Sequence, residues 1–182
     1  LPNVTPLVFA EEQGSFLVGA AAALKTTACK IGFVGGVETP LIQKFEAGYA
    51  AGAKAVAPNI QIDSKYLTPA GDFTGFNDPA KATEVARGQL DGGADIVYHA
   101  SGASGKGVFE AVSAANTAQA PKWAIGVDSD QAKTATPPTN ERILTSMLKR
   151  VHVAVYDYIN ASAAGDLTTL PKVFDLKVDG VG

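Results

Sequence analysis

The stretch Trp123-Ala-Ile-Gly-Val-Asp128-Ser129-Asp130-Gln131 constrains the fold of this chain more than any other. Five uncharged residues are too few for a helix, and they end abruptly in a carboxylate, so they read as a short buried strand followed by an acidic loop. In open α/β sheets, ligands bind in the crevice beyond the carboxyl ends of the strands. Asp128 and Asp130 therefore fall at the sheet edge where a ligand would be held.

The same unit recurs along the chain. Residues 4–9, 30–34, 60–67, 94–99 and 142–148 are predicted strands, and 173–178, alternating apolar and polar, reads as a half-exposed edge strand. Between them lie segments with helical spacing. Thr39-Pro40 and Asp78-Pro79 each supply a capping side chain followed by proline at the first helical position. Leu41, Phe45, Tyr49, Gly52 and Ala53 fall on one face of the helix that Thr39 begins. Val108, Phe109, Val112 and Ala115 define another inward face, and Val151, Val155, Tyr158 and Ile159 the buried face of the last helix. Glu11 and Glu12 suit the start of the first helix, where the backbone dipole favours carboxylates. Strand–helix repeats with short links predict right-handed crossovers: an α/β fold with an open parallel sheet and helices on both faces.

Composition excludes several functions. A net charge of −3 without a Lys/Arg cluster leaves no nucleic-acid footprint, and no apolar run approaches the ~20 residues of a membrane span. The single cysteine, Cys29, rules out an internal disulfide and reads as a small buried hydrophobe. His99 reads as a polar residue at a strand end and His152 as solvent-facing. Neither has the partners of a metal site, and no cofactor is called for.

Four strand-end loops converge on one edge: Gly35-Gly36, residues 73–77, residues 101–105 and residues 128–131. An ionised carboxylate can accept two hydrogen bonds from vicinal hydroxyls, and an aromatic face suits a planar base or the apolar face of a sugar. Asp128 fits the first task, unless it only caps its own turn. Phe76 fits the second, unless it packs as a staple on the helix that follows. Lys149, at a strand end, can donate to a ligand oxygen or simply remain solvated. Gly102-Ala-Ser104-Gly105-Lys106 is neither a nucleophile elbow, which needs glycine fifth, nor a P-loop, because Gly107 follows the lysine and Ala100 stands where the first glycine belongs. No base and nucleophile pair is present, so the residues favour binding a neutral polar ring compound over catalysis.

These residues resemble a known family. Glu11-Glu-Gln-Gly-Ser-Phe-Leu-Val-Gly, Lys30-Ile-Gly-Phe-Val-Gly-Gly, Pro40-Leu-Ile-Gln-Lys-Phe-Glu-Ala-Gly-Tyr, Asn77-Asp-Pro-Ala-Lys-Ala, Gly126-Val-Asp-Ser-Asp-Gln and Thr145-Ser-Met-Leu-Lys-Arg are similar to the basic membrane protein family, the PnrA-like substrate-binding lipoproteins of ABC transporters. The resemblance implies a two-lobed periplasmic-binding-protein type I fold that closes on purine nucleosides such as inosine, guanosine or adenosine and delivers them to an ABC permease. It implies no enzyme activity, and a periplasmic or cell-surface lipoprotein, although neither signal nor anchor is read in these residues. By similarity, Asp128 would bind ribose hydroxyls with Lys149 assisting, Phe76 with Gly75 would form one side of the base stack, and Gly102 would lie on the loop lining the cleft. His152 stands where an aspartate is common. Family members carry about a hundred more residues ahead of this chain, an ordinary domain's worth. The expected division is therefore 1–28 as a remnant of the first lobe, 29–131 as the second lobe, and 132–182 as a crossover segment with a strand and helix completing the lobes. A ligand-sensing regulatory domain of the same fold is the alternative.

Overall fold

The computed structural model describes residues 3–182. In chain order it forms α1 (Glu11–Lys25), β1 (Lys30–Val37), α2 (Pro40–Val56), β2 (Gln61–Thr68), α3 (Pro79–Asp91), β3 (Ile96–Ala100), α4 (Gly105–Ala115), β4 (Trp123–Asp128), β5 (Ile143–Leu148) and α5 (Val151–Ala163). The five strands form one parallel sheet in the order β2-β1-β3-β4-β5. The order reverses direction between β1 and β3, which is the switch point that opens a ligand crevice in such sheets.

Helices cover both faces, as the strand–helix repeats predict. One apolar layer joins Val18 and Ala22 of α1 and Phe45 and Tyr49 of α2 to Ile31, Phe33, Ile96, Tyr98 and Ile125 of the sheet. The other joins Ala82, Ala86 and Leu90 of α3 and Val108 and Val112 of α4 to Val34, Val97 and Ala124. Each fully buried Val, Leu, Ile or Phe side chain contributes roughly 1.5–3 kcal/mol. Both predicted caps are in place: Thr39 Oγ1 accepts from Ile42 N–H at 3.5 Å, and Asp78 Oδ1 from Lys81 N–H at 2.9 Å.

Helices α1 and α2 meet backbone to backbone. A methyl group on Gly48 would overlap the Glu12 carbonyl, one on Gly52 the Phe16 carbonyl, and one on Gly19 the Tyr49 carbonyl. At the other end of α1, the buried Asp95 carboxylate accepts from the Thr26 hydroxyl at 2.5 Å and from the Thr27 and Ala28 amides at 2.7 and 3.0 Å. Helix α1 is thus fixed to α2 along its length and to the residue ahead of β3 at its end.

Several sequence expectations are corrected. Residues 4–8 form no strand. Only Phe9 makes an isolated bridge, with Phe174. Residues 173–178 are likewise no edge strand: Asp175 accepts from the Lys177 and Val178 amides and turns the chain instead. Cys29 is exposed, at a left-handed φ of 52° in the tight entry to β1. Leu41 points outward and Ile42 takes its inward place. In α5, Val151, Val155 and Ile159 are exposed and Tyr158 is half-buried, while Ala154 and Ala161 face inward. Leu1 and Pro2, the start of the expected 1–28 segment, lie outside the described residues.

Candidate functional site

The C-terminal ends of β1, β3, β4 and β5 do meet at one edge, and Asp128 stands at its centre. It closes β4 in register with Leu148 of β5, with φ at 66°. A non-glycine residue in that region is uncommon, although Asp tolerates it better than most. The twist turns the chain sharply out of the sheet and leaves the side chain open at the rim. Crowding by surrounding protein raises its pKa above the ordinary carboxylate range. The Lys149 ammonium pulls it back down, and the Glu11 carboxylate pushes it up.

Lys149 follows β5. Its amide donates to the Asp128 carbonyl at 2.9 Å, and its ammonium donates to Glu11 Oε1 at 3.0 Å while lying 4.9 Å from the centre of the Phe9 ring. Asp130, by contrast, bridges to Lys133 at 3.1 Å within its own turn.

Phe76 sits at the switch point. Its half-buried ring covers Gly36 at the end of β1, where a side chain would strike it, and neighbours Gly102 after β3. Gly102 has φ 57°, a conformation that favours glycine. Gly75 is buried beneath, pressed against the Gly36 carbonyl so closely that a methyl group would overlap it. Phe73 lies outside, 66% exposed and 6.5 Å from Phe76 between ring centres. Ser104 ties these loops together: its hydroxyl accepts from Asp78 N–H at 2.7 Å and donates to the Gly75 carbonyl at 2.8 Å. A pocket of about 400 Å³ adjoins Gly102 and Gln131, between the first turns of α4 and residues 134–139.

Behind Asp128 is a clasp that the sequence reading missed. Gln131 Oε1 accepts from Val127 N–H at 2.8 Å and faces His99 Nε2 at 2.9 Å, while Gln131 N–H donates to Ser146 Oγ at 3.1 Å. One residue thus binds the ends of β3, β4 and β5. Since the amide oxygen can only accept, His99 carries its proton on Nε2, and Nδ1 accepts from Ser101 at 3.3–3.4 Å. His99 is completely buried, and that burial lowers its pKa to about 4, so the ring is neutral. Its position inside an apolar strand was the available signal. His152 is exposed, as expected. Glu11 was also missed as a site neighbour: it is a buried carboxylate whose partner Lys149 lies far along the chain.

Among the described residues no group of three or more potential ligands could hold a metal ion, and no helix is long and apolar enough to cross a membrane.

Comparison with known proteins places this geometry in context. The profile of the family described as ABC transporter substrate-binding protein PnrA-like matches residues 2–182. A CD4+ T-cell-stimulating antigen of Listeria monocytogenes is 39% identical over 188 residues, covering 99% of this chain and 51% of that protein. The ABC transporter nucleoside-binding protein BmpA of Lactococcus lactis is 38% identical over 171 residues, covering 90% of this chain and 47% of that protein. A solved ABC transporter solute-binding protein of Aeropyrum pernix superposes with a TM-score of 0.77 at 26% identity, covering 96% of this chain and 48% of that one. The chain spans about half the length of the curated relatives it matches.

Proposed function

The chain belongs to the PnrA-like family of ABC transporter substrate-binding proteins, and from that premise we propose that it forms one side of an extracytoplasmic clamp for a purine nucleoside. The clamp closes on its ligand and hands it to an ABC permease, with no catalytic step. The observation that carries this reading is Asp128: a carboxylate held at the rim of the strand ends, beside a lysine, with the Phe76 ring over the neighbouring ends of β1 and β3. Asp128 accepts two ribose hydroxyls, Lys149 donates to a ligand oxygen, and the Phe76 ring stacks on the base. Gly36 gives the Phe76 ring the room to lie there, and Gly75 and Gly102 let the loops beside it approach closely. The nucleoside named for the Lactococcus relative supports the ligand class. In this reading residues 29–131, with α1 and β5 packed on the same sheet, serve the second lobe, while the residues ahead of α1 and those from α5 onward reach toward the first. The family's description favours transport over the ligand-sensing regulatory alternative.

The test is calorimetric titration of the full-length protein with inosine, guanosine and adenosine, alongside Asp128→Ala. Saturable binding of at least one nucleoside that Asp128→Ala weakens by tenfold or more, about 1.4 kcal/mol, is expected. Absence of binding, or an unaltered affinity in the variant, refutes the assignment. Trp123 is a poor reporter, because it opens β4 at the opposite end from Asp128, about 17 Å away.

A further inference from the structure

Glu11 is only 3% exposed, yet no hydrophobic role suits it. A buried carboxylate is costly unless it is paired. Its Oε1 accepts from the Lys149 ammonium at 3.0 Å, and its Oε2, without a hydrogen bond, faces Lys44 Nζ at 3.6 Å. Lys149 is also pinned against the face of Phe9 and, through its backbone, to Asp128 and to Val181. Two carboxylates, Glu11 and Asp128, thus stand among two ammonium groups, Lys44 and Lys149.

We propose that Glu11 is a positioning and specificity residue of the ligand site: it fixes where the Lys149 ammonium points and cancels its charge, so that the site accepts a neutral nucleoside and disfavours its phosphorylated form. The proposal rests on the nucleoside reading above. An ammonium has three donors. Glu11 takes one and Phe9 blocks one side, so the donors left over face the rim that Asp128 shares. With its charge spoken for by Glu11, Lys149 can donate one hydrogen bond to a hydroxyl or ring atom but offers little net field to a phosphate. Without Glu11, both lysines would be uncommitted, and the site would gain one unit of positive charge.

The experiment titrates the full-length wild type, Glu11→Gln, Lys149→Met and the double variant with guanosine and with guanosine 5′-monophosphate, with thermal melts to confirm folding. Glu11→Gln is expected to weaken guanosine about tenfold, within the range of coupled neighbours, and to narrow the preference over the monophosphate. In the Lys149→Met background the same change is expected to have little further effect, because Glu11 acts through that lysine. If Glu11→Gln does not fold, Glu11→Asp, which keeps the charge on a shorter arm, is expected to bind guanosine more weakly than wild type. Unaltered affinity and preference in the Glu11 variant that folds, or effects that simply add to those of Lys149→Met, overturn the proposal while leaving the nucleoside reading intact. A wild type that binds no nucleoside removes that reading and this one with it.

Discussion

The amide of Lys149 donates to the carbonyl of Asp128 across 2.9 Å, so the two side chains proposed to hold the ligand rise from backbones already joined to each other. Strand ends usually fray into independent loops. Here the last hydrogen bond between β4 and β5 falls one residue past the register pair Asp128–Leu148 and holds Asp128 in its left-handed conformation.

That conformation separates stability from function at one position. Glycine takes a positive φ without the strain of a Cβ. Asp128→Gly is expected to raise unfolding stability by roughly 0.5–1 kcal/mol, measured by urea denaturation, while abolishing nucleoside binding. Asp128→Asn is expected to keep wild-type stability and lose most of the affinity, since an amide accepts fewer hydroxyl protons than a carboxylate. A glycine variant less stable than wild type contradicts the strain argument.

His99 predicts a pH dependence. Its pKa in the fold, about 4, lies below the unfolded value of about 6.5. The unfolded chain therefore binds the extra proton first, and stability is lost as pH falls from about 6.5 toward 4, by roughly 3 kcal/mol in all. Chemical denaturation at stepped pH is expected to show this slope in the wild type and to show it much reduced in His99→Gln.

Two glycines in helices predict opposite outcomes for the same substitution. Gly52→Ala drives a methyl group into the Phe16 carbonyl and is expected to cost about 3 kcal/mol or more, because two helix backbones must part. Gly88→Ala, exposed in α3 with open space around it, is expected to gain up to about 1 kcal/mol from helix propensity. Thermal melts of the two variants decide the matter directly.

Tyr49 is fully buried, and its hydroxyl has no hydrogen-bond partner among the described residues. Its ring packs against Phe33 and Tyr98, with the Tyr98 ring 5.0 Å away. Tyr49→Phe keeps that packing and removes an unsatisfied polar atom. An increase in stability of about 1 kcal/mol is expected in urea denaturation, and a marked loss would show that the hydroxyl is satisfied in solution.

The sheet was legible because buried parallel strands interrupt helical spacing in an unmistakable way, and Thr39-Pro40 and Asp78-Pro79 mark helix starts by local chemistry alone. The strand-end loops were legible for the same reason: in a parallel sheet every strand ends on the same side. What escaped depends on contacts across the chain. Glu11 looked like an ordinary residue of a first helical turn, and nothing nearby announces a lysine at position 149. Gln131 looked like the tail of an acidic loop, yet its one oxygen serves two strands. The spacing of Val151, Val155 and Ile159 shows that they share a face, but spacing does not supply a neighbour to cover it.

Because α1 lies backbone on backbone against α2, Glu11 cannot travel after Lys149. The carboxylate is bolted to one helix layer and the lysine's backbone to the ends of β4 and β5, so the ammonium is held at one point between two fixed anchors. A ligand at the rim then meets a donor already in place and loses none of its attraction to ordering a flexible four-carbon chain.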